Sequence, residues 1–488
     1  MRRRTFLSGS QLLQHTGMYL LGRGVPGILN FLIIVVYTRL LSPSQYGMYV
    51  LVVAGVSLFD GILFQWLRLS LFRFYQEHRD KRGFFLSTIL DIFLVLTVSA
   101  GILATAIGFF WSNLQFRKWL LLGIILLWAQ GWFELNRVLV QIELQPLRFG
   151  LVSATRSTIA LLIGTLLIWA GYGVYGALLG LLIGLLLSTA FALTFWRGIS
   201  FRFDKPLAFT LAHYGVPLLV TFTLSYVVST SDRFLIAKFL NKEAVGLYAA
   251  AYDLAQQSIT TLMMIVNLAG YPLVLYALEH KGWQDAQIQL QQNGALLLMI
   301  GLASSVGLSI LSPNITHVIL GPQFQKQAVF ILPWVSMAVF LAGLRAYYFD
   351  LSFQLGKRTA WQIVVMGVAA AANLLLNLWC IPQWGIQGAA YTTFLAYLIA
   401  SVVSILLGRR AFHVPIFLKD WGKIIFAVIV MAAGLYETLL LTGLGLWALV
   451  LQILSGAFFL IMGILMVDIF HVRSRFLQAL ISEIGYKK

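Results

Sequence analysis

Charged side chains interrupt long apolar stretches of this 488-residue chain at Arg23, Asp60, Asp91, Glu134, Arg137, Arg156, Asp232, Arg233, Asp253, Arg345 and Glu437. A charge in such surroundings is expensive, so it faces a partner, a cavity or a passing substrate. Two chemistries are represented. An arginine stays charged when desolvated and presents a planar fork to an oxyanion, which makes Arg23, Arg156, Arg233 and Arg345 candidates for gripping an anion. A carboxylate can take up a proton or a sodium ion, and Asp60, Asp232 and Asp253 are candidates for a coupling ion or for ion pairs between helices. Glu134 and Arg137 stand three residues apart, the spacing of a local pair on one helix face. Asp91 and Glu437 lie near the ends of their stretches, within reach of interfacial water. Asp232 and Arg233 are neighbours, so on a helix they point about 100° apart and need different roles. Arg233 is assigned to an anion path, and Asp232 to an adjacent helix or an ion.

Other chemistries lack their residues. A phosphate-binding G-x-x-x-x-G-K-[ST] loop is missing, and the nearest string, LGKRTA at Leu355 to Ala360, has neither the upstream glycine nor the hydroxyl after lysine. The seven histidines are scattered without a metal-ligand spacing, and the single cysteine, Cys380, excludes an internal disulfide or a thiolate cluster. No polar loop is long enough to house the acids of a membrane glycan-synthesising enzyme. The expectation is a non-enzyme without metal or organic cofactor, driven if at all by a proton or sodium ion.

The elements that position these charges are set by composition. The chain is 60% hydrophobic and 10% charged, whereas a soluble domain carries about 25% charged residues. Apolar runs of roughly 20 residues follow one another, each long enough to cross a hydrocarbon layer of about 30 Å as a helix. They lack strand alternation. The predicted fold class is an all-α polytopic membrane protein with about fourteen transmembrane helices, near 13–38, 46–70, 84–111, 118–142, 149–170, 174–196, 211–238, 246–277, 290–312, 326–349, 360–380, 385–408, 420–441 and 446–468. The first run continues past Arg23 without a cleavage-site pattern and is read as a retained span.

Twenty-two Lys and Arg fall in one set of loops and termini, including Arg68 to Arg82, and six in the alternate set. Basic residues collect on the cytoplasmic side, so both termini are expected there. This bias accounts for most of the net charge of +17, and with no soluble basic domain a nucleic-acid partner is excluded.

An internal repeat organises the spans. RLLSPSQYGMY (Arg39 to Tyr49) aligns with KFLNKEAVGLY (Lys238 to Tyr248) at an offset of 199, matching Leu41 with Leu240, Gly47 with Gly246 and Tyr49 with Tyr248. GYGVYGALLG (Gly171 to Gly180) similarly matches QWGIQGAAYT (Gln383 to Thr392). Six spans are thus duplicated in parallel, giving an N-terminal lobe at 1–205, a C-terminal lobe at 206–412, and two added spans with a tail at 413–488.

The R-L-L-S-P-S-Q-Y-G-M-Y string, the D-R-F-L-I-A-K-F-L run from Asp232 with A-V-G-L-Y-A-A-A-Y after it, and the Asn373 to Ala390 segment together resemble the polysaccharide-biosynthesis or O-antigen flippase family. That family lies within the multidrug, oligosaccharidyl-lipid and polysaccharide exporter superfamily. The resemblance covers nearly the whole chain. It implies two six-helix lobes in a V around a central cavity that opens alternately to each side. It also implies a substrate, an undecaprenyl-diphosphate-linked oligosaccharide moved from the cytoplasmic to the outer leaflet of a bacterial inner membrane for O-antigen, capsule or exopolysaccharide assembly, with a polymerase and a chain-length regulator as pathway partners. Arginines at several depths suit a diphosphate: Arg156 and Arg345 in the inner third, Arg23 near the middle and Arg233 in the outer third. A lipid II flippase is a close alternative. A multidrug cation antiporter of the same superfamily is disfavoured, because span one carries Arg23 and no acid. The two added spans, bordering membrane lipid, are assigned to the polyprenyl tail.

Overall fold

The computed structural model describes residues 9–110, 113–199 and 203–469, the side chains of 9–23 and of residue 221 excepted. Among the described residues there is no strand. The helices are α1 (Gly9–Leu40), α2 (Pro43–Phe74), α3 (Arg82–Phe110), α4 (Leu114–Ile142), α5 (Pro146–Leu167), α6 (Gly173–Ser188), α7 (Lys205–Phe239), α8 (Lys242–His280), α9 (Trp283–Ile310), α10 (Ser312–Ile319), α11 (Pro322–Leu344), α12 (Leu351–Leu355), α13 (Trp361–Ala411), α14 (Leu418–Thr442) and α15 (Leu446–Val467).

Ten helical runs among the described residues are long and apolar enough to cross a membrane, fewer than the fourteen expected. The difference has physical sources. Pro146–Trp196 and Trp361–Ala411 are each 51 residues long, more than twice what a hydrocarbon layer of about 30 Å requires at about 1.5 Å per residue. Each contains two of the expected spans, joined at a glycine break instead of a polar loop. Within the first run α5 and α6 fold back on each other, so closely that a Cβ on Gly180 would stand 2.4 Å from the Gly164 backbone nitrogen. The α7 span passes only as a bent pair, Lys205–Val220 with Phe222–Phe239, and the apolar part of α1 that is described, Gly24–Leu40, is short.

The repeat read from the sequence reappears as matched backbone. Ser42 caps α2 by accepting from the Gln45 N–H at 3.3 Å, and its counterpart 199 residues on, Asn241, accepts from the Ala244 N–H at 2.8 Å at the start of α8. The second pair of motifs matches as well. Gly173 (φ 51°, ψ −129°) and Gly385 (φ 58°, ψ −140°) break their helices in the same left-handed conformation, which side chains rarely adopt.

The two equivalent junctions also touch. A Cβ on Gly47 would lie 1.9 Å from the Lys242 carbonyl oxygen and 2.9 Å from the Gly246 nitrogen. A Cβ on Gly246 would lie 2.0 Å from the Pro43 oxygen and 2.9 Å from the Gly47 nitrogen. Since Pro43 and Lys242 are themselves counterparts at the offset of 199, the contact is reciprocal, with the character of a pseudo-twofold joint. Only glycine on both sides permits this approach of α2 and α8.

The chain forms two compact units, residues 1–249 with 373–382, and residues 250–372 with 383–488. The first has a core around Phe64, Leu67, Phe133, Leu139, Phe149 and Leu178. α7 belongs to it, lying along α2, where Ser70 Oγ donates to the Leu211 carbonyl at 2.7 Å. In the second unit α14 and α15 pair through the Thr438 and Ser455 hydroxyls at 2.6 Å. Asn314, part of an N-I-T string, is buried there. It donates to Gln452 and accepts from the Gly445 N–H, both at 2.8 Å, so its amide is committed to packing.

The glycine joint yields a prediction. Gly47→Ala and Gly246→Ala each destabilise the detergent-solubilised protein by about 1–3 kcal/mol, the usual range for overpacking a tight contact. The double replacement costs less than the sum, because both methyl groups strain one shared contact. Thermal melting of the three variants checks this; wild-type melting temperatures for both single variants would contradict it.

Candidate functional site

The first unit gathers most of the in-span charges. On α2, Asp60 and Arg68 are both buried and form a two-armed ion pair, Nη1 to Oδ1 at 2.8 Å and Nη2 to Oδ2 at 2.9 Å. Gln65 accepts from the same guanidinium at 2.6 and 3.2 Å. The pair spans eight residues because helical side chains tilt toward the N-terminus, so a long arginine reaches back along the two turns before it. Arg68, counted above among the cytoplasmic loop cations, is therefore an interior residue of a helix that runs on to Phe74.

On α4, Glu134 accepts from Arg137 at 2.5 and 2.9 Å, the local pair its spacing implied, and Gln130 donates to the other carboxylate oxygen at 3.2 Å. α7 closes over α2 at Gly61, where a Cβ would stand 2.5 Å from the ring of Tyr226. Asp60, Arg68, Glu134, Arg137 and Tyr226 all lie within electrostatic reach of one another.

Arg156 on α5 completes the group, interacting with Glu134, Arg137 and Tyr49. Its guanidinium sits over the Phe133 ring, 5.5 Å from the centroid, and its buried Nε has no hydrogen-bond partner. Among the described residues no carboxylate pairs with Arg156, whereas both acids of the cluster already hold an arginine. Three arginines against two carboxylates leave one positive charge in excess, and geometry puts it on Arg156.

The other expected residues lie elsewhere. Arg23 is in α1, and its side chain falls outside the described residues. Arg233, half-buried on α7, donates its backbone N–H to Asp232 Oδ1 at 2.8 Å. Asp232 is fully buried, and its Oδ2 accepts from the Tyr248 hydroxyl of α8 at 2.5 Å, so it does meet an adjacent helix. Next to it, Ser231 donates to Asn373 at 3.1 Å, and Asn377 donates to the same oxygen at 3.1 Å. The family-like strings around Asp232, Tyr248 and Asn373 thus tie α7 to α8 and to the middle of α13. Asp253 is half-buried on α8 in the second unit.

Arg345 is also in the second unit, buried, on a π-helical turn Arg345–Phe349 that follows α11. Its guanidinium donates to Asp350 at 2.7 Å, and the other carboxylate oxygen of Asp350 accepts from Ser404 of α13 at 2.6 Å. Arg345 is therefore engaged in an ion pair of its own unit. A π turn brings residues five apart into register, which is why this pair escapes a search at three- and four-residue spacing.

Removing one partner of a buried ion pair strands the other, at a cost of about 3–5 kcal/mol, while replacing both with apolar groups of similar size is near neutral. Asp60→Ala and Arg68→Met should accordingly each lower the yield of folded protein in the membrane, and Asp60→Leu with Arg68→Met should restore most of it. Fluorescence-detected size exclusion of tagged variants reads this; a double variant as poor as the worse single one would contradict it.

A family model described as "Polysaccharide biosynthesis protein" matches residues 36–329. The amylovoran biosynthesis protein AmsL of Erwinia amylovora is 23% identical over 247 residues, which cover 49% of this chain and 61% of that protein, so the chain spans about three-fifths of this relative's length. Among solved structures, the lipid II flippase MurJ in an inward closed conformation superposes with a TM-score of 0.75 at 16% identity, over 92% of this chain and 98% of that one. A transporter of the multidrug, oligosaccharidyl-lipid and polysaccharide superfamily from Pyrococcus furiosus superposes with a TM-score of 0.59 at 14% identity, over 82% and 94%. These likenesses establish the polytopic helical fold shared with such transporters. The family match spans more than half of the chain and includes the helices that carry the charge cluster. The chain belongs to the polysaccharide biosynthesis protein family.

Proposed function

We propose that the protein is an alternating-access flippase that carries an undecaprenyl-diphosphate-linked oligosaccharide from the cytoplasmic to the outer leaflet of a bacterial inner membrane, for surface polysaccharide assembly. The observation that carries the reading is Arg156, a cation left over beside two self-neutralised ion pairs. A multidrug cation would be repelled by that excess charge, whereas a diphosphate supplies the missing anion in a geometry that the arginine fork fits. A lipid II flippase would present the same diphosphate and polyprenyl chain; the family match and the amylovoran relative favour a surface polysaccharide.

In this reading the expected lobes, 1–205 and 206–412, rock about the repeat axis, both termini are cytoplasmic, and α14 with α15 borders the polyprenyl tail. The reciprocal contact of Gly47 and Gly246 lies, in this reading, at the outer end of the path. Arg23 and Arg233 are further anion stations. Energy for repeated cycles comes from a proton or sodium gradient acting at Asp60, Asp232 or Asp253. Asp232 is the site to test first, because its bond from the Tyr248 hydroxyl of α8 lets a change in its charge reach an adjacent helix. A polymerase and a chain-length regulator would act on the exported unit.

Two outcomes follow. Arg156→Ala abolishes glycan export in cells at near-normal protein abundance, and Arg156→Lys restores only part of it, since a point charge loses the two-armed geometry; full export by the alanine variant would remove Arg156 from the path. Flipping in sealed vesicles responds to collapse of the coupling gradient, and Asp232→Asn makes the rate insensitive to it. A wild-type rate indifferent to both gradients would leave transport passive.

A further inference from the structure

The second unit holds a cavity that the transport path does not use. It has a volume of about 310 Å³ and lies where the end of α13, the 412–417 linker and the start of α14 meet. Phe349, Ser352 and Ser404 form its floor, and the linker forms one wall. Beneath the floor Asp350 is neutralised by Arg345 and takes the Ser404 hydroxyl, so no free carboxylate opposes an anion there.

Arg409 and His413 line the mouth, and both are exposed. More cations surround it. Arg358 donates to the Arg410 carbonyl at 3.1 Å, which brings the Lys357–Arg358 turn against the end of α13. Lys419 and Lys423 follow on the first turns of α14. Asp420, the acid on those turns, accepts from Gln291. The wall adds donors of its own. Among the described residues the backbone N–H groups of His413, Val414 and Ile416 make no hydrogen bond within the protein, which leaves them to water or a ligand.

Aromatic rings fix the depth of the cavity. Phe412 of the linker meets Trp283 edge-on at 5.0 Å between centroids, and Trp421 packs on Tyr348 and Phe349 at 5.8 and 6.1 Å. Tryptophans of a membrane protein concentrate at the headgroup level. Apolar Ile405, Ile416 and Leu418 line the remaining wall and suit the first carbons of a lipid. A cationic mouth, free backbone donors and an apolar side at this depth describe a seat for a lipid phosphate, and basic pockets of this kind take anionic headgroups.

We propose that this cavity binds the phosphate of an anionic phospholipid, with Arg409 and His413 as its side-chain donors. The site stands apart from Arg156 and does not depend on what the protein transports. Native mass spectrometry of the delipidated full-length protein tests it, titrating phosphatidylglycerol, phosphatidylcholine of the same chain length, and inorganic phosphate. The expected result is one phosphatidylglycerol retained in preference to phosphatidylcholine. Its affinity should fall roughly tenfold in Arg409→Gln/His413→Gln, as loss of a charge-assisted hydrogen bond implies, and stay unchanged in the remote variant Lys326→Gln. Thermal melting confirms that the variants are folded, and Arg409→Lys should recover part of the affinity. Equal retention of phosphatidylcholine, displacement of the lipid by inorganic phosphate, or an equal loss in Lys326→Gln would each overturn the proposal.

Discussion

A charge inside a hydrocarbon layer must be neutralised, and the arrangement of the first unit follows from how that is achieved. Asp60 spends both oxygens on Arg68, and Glu134 is held by Arg137 and Gln130. With both acids committed, Arg156 has the face of Phe133 and the fields of Glu134, Tyr49 and Arg137. A ring face is a weak partner, worth about 0.5–2 kcal/mol, and it leaves the guanidinium edges free for an anion. Each ion pair lies within one helix, and together they leave neither carboxylate paired with the third arginine.

The proposed transport cycle would draw its geometry from the duplicated chain. Counterpart residues in the two halves take matching caps at Ser42 and Asn241 and matching left-handed breaks at Gly173 and Gly385. At Gly47 and Gly246 they form one contact from two equivalent surfaces. At the two glycines the contact is backbone against backbone. Tyr248 is on α8, one of the joint's two helices, and its hydroxyl donates to Asp232 of α7, which links α7 to that helix.

The sequence revealed these features unevenly. Composition and run length disclosed the helical membrane fold, and the three-residue spacing of Glu134 and Arg137 disclosed their pair. The repeat marked Gly47 and Gly246 as equivalent, but equivalence does not imply touching, and only the fold joins them. Arg68 falls inside the expected span 46–70 yet groups in sequence with the basic residues that follow it, whereas α2 carries it inside and runs on to Phe74. The Arg345–Asp350 pair was hidden by a π turn, whose register no regular helical spacing anticipates. Ten long helical runs stand against fourteen expected spans because the spans on either side of Gly171 and of Gly385 fall within one run each, α7 passes only as a bent pair, and only the short Gly24–Leu40 part of α1 is described.

Central to this account is that Arg156 holds a diphosphate. The most direct measurement is the equilibrium binding of a short-chain polyprenyl-diphosphate oligosaccharide, and of the same oligosaccharide on a polyprenol without phosphate, to purified wild type and Arg156→Gln. The account predicts that the diphosphate ligand binds wild type at least about tenfold more tightly than the variant, as a charged hydrogen bond of about 1.5–3 kcal/mol requires, and that the phosphate-free ligand does not distinguish the two. Equal affinity of the diphosphate ligand for both proteins would contradict it.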